Sequence, residues 1–224
     1  MKQIFTMMEQ TNRHRIKAVL IFYGMVAIGM MILGYTQPVY SYIFLLFALI
    51  CVLVLCILLA WQDSKYMKKE TYQRIMLLPE KKAYLWSVLL FYMITFVGLF
   101  LVFYFSCLLF LIIPGKYQVN QIVLISWDHA LLKSFFPIQR LNLFGNLMFW
   151  MNIGIQWFVM STWYRYRKFI FACPLIFFDI YQLNFYWKYP EYSVIFHMLF
   201  YVVAWVYAYL IMKHMFGHKK EVRS

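Results

Sequence analysis

Charge is scarce in this sequence, and acids are scarcest. Lys, Arg, Asp and Glu make up 13% of 224 residues, and only 8 of them are acidic. With 65% hydrophobic residues, 22% aromatic residues and a mean hydropathy of +0.68, the chain is far more apolar than a soluble domain of this length. Cysteine is limited to Cys51, Cys56, Cys107 and Cys173. All four lie in apolar stretches without CxxC or other metal-ligand spacing, so they read as small buried hydrophobes. No HExxH, no GxSxG and no glycine-rich phosphate loop is present. Gly115 and Lys116 lack both the preceding glycine and the following Ser or Thr of such a loop. The chain therefore carries no recognisable ATP-binding, catalytic or metal motif, and no internal repeat is visible.

What is present is a series of long apolar runs, expected to form an all-α, single transmembrane domain over residues 1–224. Six spans are predicted, at about 18–35, 39–61, 84–113, 141–163, 169–187 and 193–212. The first two are separated only by Thr36, Gln37 and Pro38, which makes a tight helical hairpin. No small-residue cleavage site follows the first run, so it is expected to be a retained helix and not a signal peptide. The third run holds some thirty residues, roughly 45 Å of helix, and exceeds the hydrocarbon thickness. Pro114 and Gly115 end it, and the mixed segment from Lys116 to Arg140 reads as an interfacial excursion. The fifth run is interrupted by Pro174, Asp179, Gln182 and Asn184.

The basic residues set an orientation. Four lie in the N-terminal lead, six between the second and third runs, three between the fourth and fifth and four in the tail, so 17 of the 21 fall on one side. Both termini are thus expected in the cytoplasm. This positive-inside bias accounts for the net charge of +13 without nucleic acid as a partner. Trp61, Trp86, Trp163 and Trp187 fall near span ends, as interface anchors should.

Several polar features inside this frame are candidates for function. In the fourth span Asn142, Asn146, Asn152 and Gln156, with Gly145, fall within an arc of about 120° at 100° per residue. Amides facing lipid lack partners, so this stripe should face protein or water, either as helix-helix glue, a dimer seam included, or as the wall of a substrate pathway. Asp179 is an acid within an apolar run: an intramembrane carboxylate, or a headgroup-level residue if the fifth helix ends early. Asp128 and His129 are adjacent and point about 100° apart on a helix, which suits a solvated surface better than a proton-transfer or metal pair. His214 and His218 are spaced i, i+4 but have no evident third ligand, and no metal site is expected. His197, alone in the sixth span, reads as a packing residue.

The most informative segment is Lys69–Trp86, KETYQRIMLLPEKKAYLW. Thr71, Ile75 and Leu78 recur at i, i+4 and i+7, while Glu70, Arg74 and Lys81 lie elsewhere around the helix, and Pro79 stops it. On its own this is a charged interfacial helix. The order Glu70, then Leu77-Leu78-Pro79, then basic residues, then a long span resembles the first cytoplasmic loop of the ABC-2 type permease family, membrane subunits of ATP-binding cassette exporters. The topology of the whole chain is similar to that family as well.

The resemblance implies that Glu70, Thr71, Arg74, Ile75, Leu77, Leu78 and Pro79 form a coupling helix seated on a cytosolic ATPase subunit. Arg165, Arg167 and Lys168 would make a smaller second contact, or serve only as topogenic charge. It further implies that ATP and Mg bind the partner subunits and none bind here, that two permease copies or a pair of relatives assemble, and that a peptide, lipid or drug is exported across a plasma membrane, bacterial by its short loops. The chain departs from the family in placing its longer external excursion between the third and fourth spans. A membrane enzyme would need Asp128, His129, Asp179 and Glu191 to converge, and a non-catalytic scaffold or immunity protein would use the same spans without alternating access.

Overall fold

A computed structural model describes residues 2–36, 42–66, 81–112, 140–163 and 193–217. All are helical: α1 is Lys2–Thr36, α2 Tyr42–Tyr66, α3 Lys81–Ile112, α4 Arg140–Trp163 and α5 Ser193–Gly217. Three of them contain windows long and apolar enough to cross a membrane, Asn12–Gly34, Leu46–Asp63 and Ala83–Ser106. The chain is a multi-pass membrane protein whose described part is all-α.

The distribution of side chains fits lipid as the outer solvent. Leu20, Ile21, Met25, Ile28, Leu53 and Ile57 point outward, whereas Asn12, Arg15, Gln62, Thr95, Asn146 and Asn152 are buried. A water-soluble bundle has the opposite arrangement. In hydrocarbon an outward Ile costs nothing, while an outward amide or guanidinium has no partner, so the polar residues are driven inside.

Helix α3 occupies the centre. It packs against α1 and α4, while α2 contacts α1 and α5 contacts α4. More than half of its apolar window, 56%, is buried, against 22% in α1 and 28% in α2. Its inward face is aromatic: Phe91, Tyr92, Phe96, Phe100 and Phe103 are all buried. Phe96 meets Trp157 of α4 at 6.2 Å between centroids, Phe100 stacks on Trp150 at 6.1 Å, and Trp86 meets Trp205 of α5 at 5.4 Å. Between the two α4 tryptophans sits Gly154. A methyl group on Gly154 would lie 2.7 Å from Cα of Met93 and 2.8 Å from the Tyr92 carbonyl oxygen, so only glycine allows these backbones to approach so closely.

Helix ends differ from expectation in one consequential way. The polar N-terminal lead belongs to α1, which is 35 residues long, or about 52 Å, so its first turns project past a ~30 Å hydrocarbon layer. Helix α2 continues past Trp61 to Tyr66, so Gln62 and Asp63, expected in a connecting loop, are helical and face the bundle. The third, fourth and sixth spans expected at 84–113, 141–163 and 193–212 correspond to α3, α4 and α5, with α5 running five residues further. The fifth span, the amphipathic segment Glu70–Pro79 and most of the Lys116–Arg140 excursion lie outside the described residues.

Gly154→Val should lower the apparent melting temperature in mild detergent by about 3–10 °C, from an overpacking cost of ~1–3 kcal/mol against backbone atoms that cannot rotate away. Gly24 has no atom within 4 Å of the same position, so Gly24→Ala should leave stability unchanged or slightly raised. Equal losses at both sites would contradict the α3–α4 contact.

Candidate functional site

At one end of the bundle three helices are joined through charged side chains. Arg15 of α1 donates from Nη2 to Asp63 Oδ1 of α2 at 2.8 Å, and both side chains are largely buried. Tyr92 of α3 donates its hydroxyl to the same Oδ1 at 2.6 Å, and Arg15 Nη1 donates to that hydroxyl at 3.4 Å. The guanidinium also lies 5.9 Å from the centroid of the Phe91 ring, near enough for a cation–π contribution. Three residues 29 to 77 positions apart in the chain thus close a triangle.

The local reasons are geometrical. Arg15 lies one turn beyond Asn12, where α1 enters the bundle, and Asp63 lies in the last turn of α2. Tyr92 belongs to the buried aromatic face of α3, and its ring carries the hydroxyl across to the other two helices. From α4, Ser161 lies near the Tyr92 hydroxyl and the Trp157 indole near Asp63. Desolvating a carboxylate and a guanidinium costs several kcal/mol each, and their attraction roughly offsets that cost. The triangle therefore specifies helix register more than it adds net stability.

A second tie sits deeper. The Tyr23 hydroxyl of α1 donates to the Thr95 carbonyl of α3, and its ring lies over Gly98, where a methyl group would meet the hydroxyl oxygen at 2.8 Å. Thr95 in turn donates from Oγ1 to the Phe91 carbonyl at 2.7 Å. Gly98 opens the space through which Tyr23 reaches α3.

Of the residues singled out from sequence, Asn146, Asn152 and Gln156 are buried within α4, as is Gly145. Asn142 is in the first turn of α4, its side chain outside the described residues, as are the side chains of His197 and His214. Glu70, Thr71, Arg74, Ile75, Leu77, Leu78, Pro79, Arg165, Arg167, Lys168 and Asp179 lie outside the described residues, together with Asp128, His129, Glu191 and His218. Arg15, Asp63 and Tyr92 were not among the residues the sequence pointed to. Two signals mark them: Asp63 lies within half a turn of the apolar run ending at Trp61, and Arg15 within one turn of the run starting at Ala18.

Among the described residues no three His, Cys, Asp or Glu side chains are grouped as a metal would require, and Cys51 and Cys56 of α2 are free thiols. The triangle offers a closed, charge-balanced lock with no free nucleophile in it. Compared with protein-family models, curated proteins and solved structures, the chain matches none of them.

Asp63→Leu alone should cost ~3–5 kcal/mol of stability, because it removes the Asp63 carboxylate from beside the buried Arg15 guanidinium. The double change Arg15→Met with Asp63→Leu should recover most of that loss. Thermal or denaturant unfolding of the two singles and the double in detergent measures the coupling, and strictly additive losses would show that the pair does not act as one unit.

Proposed function

We propose that the chain is the membrane permease subunit of an ATP-binding cassette exporter. In this reading six spans cross a bacterial plasma membrane with both termini in the cytoplasm. Two such subunits work with two cytosolic ATPases to export a hydrophobic or amphipathic substrate. ATP and Mg act on the ATPases, and this chain supplies the pathway.

The observation that carries the reading is the placement of the triangle relative to residues 67–80, which hold most of the permease-like motif from Glu70 to Pro79. That segment joins the end of α2 to the start of α3. Asp63 lies three residues before the end of α2, and Tyr92 lies eleven residues into α3, with a 2.6 Å hydrogen bond between them. A push on the connecting segment thus enters two helices already tied to each other and, through Arg15, to α1. Such a tie makes the three helices move as a body, which is what conversion of an ATPase movement into a tilt of spans requires. The basic residues on both sides of the segment, Lys65 and Lys81 among them, support a cytoplasmic placement.

Purification of the tagged full chain from its native host in mild detergent tests the reading. A cytosolic ATPase should co-purify with the wild type and be lost with Glu70→Ala, Arg74→Ala and Leu78→Ala combined, while the variant keeps its own melting temperature. Asp63→Asn should retain the ATPase but reduce transport-coupled hydrolysis. If the intact chain brings down no ATPase, the permease reading fails and a membrane enzyme or scaffold takes its place.

A further inference from the structure

Helix α4 holds polar atoms that the bundle buries and leaves unsatisfied. Asn152 is 0% exposed, and neither its Nδ2 nor its Oδ1 has a hydrogen-bond partner. One turn further on the same face, Gln156 is 6% exposed with Nε2 unpartnered. Val159, three residues beyond Gln156, is 0% exposed, so this face is sealed from the outside of the described bundle.

An amide sealed away without a partner is destabilising, and more so in hydrocarbon than in a soluble core. Three such atoms on Asn152 and Gln156, within two turns of one helix, would sum to a large fraction of a typical domain's stability. Leucine or methionine would fill the same volumes without that cost. The burial also argues against these amides as a seam between copies, since a seam requires them on the outer surface.

We infer that Asn152 and Gln156 form an internal binding site for a neutral hydrogen-bonding ligand held against α4 inside the bundle. The orphan set is two donors, Asn152 Nδ2 and Gln156 Nε2, and one acceptor, Asn152 Oδ1. It suits a ligand with oxygen acceptors that also carries a donor, such as a hydroxyl or an amide. Neither side chain is charged, so an anion or cation would be desolvated with no countercharge from them. Water has this chemistry, and so has the neutral polar group of an amphiphile. The aromatic wall next to the site, where Phe96 meets the Trp157 ring at 6.2 Å, would take an adjoining apolar portion. In an exporter the site would lie on the substrate route, a consequence that rests on the permease reading; the site itself does not.

The test uses the full chain in dodecyl maltoside without any ATPase, so its outcome is independent of the co-purification. Hydroxyl-radical footprinting by X-ray pulse and mass spectrometry reads oxidation at Val159, which bulk solvent does not reach. We expect clear oxidation in the wild type and a several-fold drop in Asn152→Leu and Gln156→Met. We also expect both variants to melt several degrees lower, because a filled site loses its ligand bonds. N-Decylacetamide, a neutral amide amphiphile, should raise the melting temperature of the wild type and not of Asn152→Leu. Decyltrimethylammonium and decanoate should raise it in neither. If N-decylacetamide gives no shift while Val159 is still oxidised, the ligand is water. An unoxidised Val159 together with variants that melt higher than wild type would overturn the inference, since relief of an empty site stabilises. Should Asn152→Leu not fold, the wild-type footprint and Gln156→Met decide alone.

Discussion

A charge buried between packed helices has little to bind except the protein around it. Inside the bundle Arg15 and Asp63 are held 2.8 Å apart, with the Tyr92 hydroxyl on the same carboxylate oxygen. Any slide of α1, α2 or α3 by one residue moves one partner by about 1.5 Å along its axis and rotates it by about 100°, which breaks the set. The alternatives leave a bare guanidinium or carboxylate in a low dielectric, at a cost of several kcal/mol. Apolar packing alone would tolerate many registers here, because the outward residues of α1 from Leu20 to Ile32 and of α2 from Ile43 to Ile57 are apolar and lipid is as good a partner as protein. The ion pair therefore selects one register among many that hydrophobicity would accept.

Around that fixed point α3 acts as the post of the bundle. Its aromatic face fills the interior against α1 and α4, and two small residues set how near each neighbour comes. Gly98 admits the Tyr23 ring from α1, and Gly154 lets the α4 backbone reach that of Met93. These contacts are van der Waals and short-range, whereas the triangle is electrostatic and directional. The first kind sets distances and the second sets register, and helix packing in a membrane requires both.

Three of the spans were legible in sequence because the bilayer imposes a single coarse rule, an apolar run of about twenty residues, and the runs around Val26, Leu55 and Phe96 obey it. The inward orientation of Asn146, Asn152 and Gln156 was legible for the same reason, since an amide in lipid has no partner. Arg15, Asp63 and Tyr92 were not. Each looks ordinary alone: an arginine in a basic lead, an aspartate two residues past an anchoring Trp61, one tyrosine among 19. Their meaning lies in a meeting between positions up to 77 residues apart, which local periodicity does not encode. Hydropathy placed Asp63 outside the helix because a lone carboxylate belongs in water, and the countercharge from α1 reversed that choice.

The position of this tie bears on what the bundle can do as a whole. Apolar residues of the same volume would supply comparable net stability, so what the buried ion pair adds is a fixed relation between the helices it joins. The pair becomes useful when the helices must keep a fixed relation while something else moves, or must exchange one fixed relation for another. Here the pair joins α1 to α2, and the Tyr92 hydroxyl joins α2 to α3, the two helices that flank the charged 67–80 segment. Helix α4 meets this body through Gly154 and the Trp150 and Trp157 rings, a contact with few directional bonds, and carries the unsatisfied amides. The directional bonds thus join α1, α2 and α3, while the buried amides without partners lie on α4.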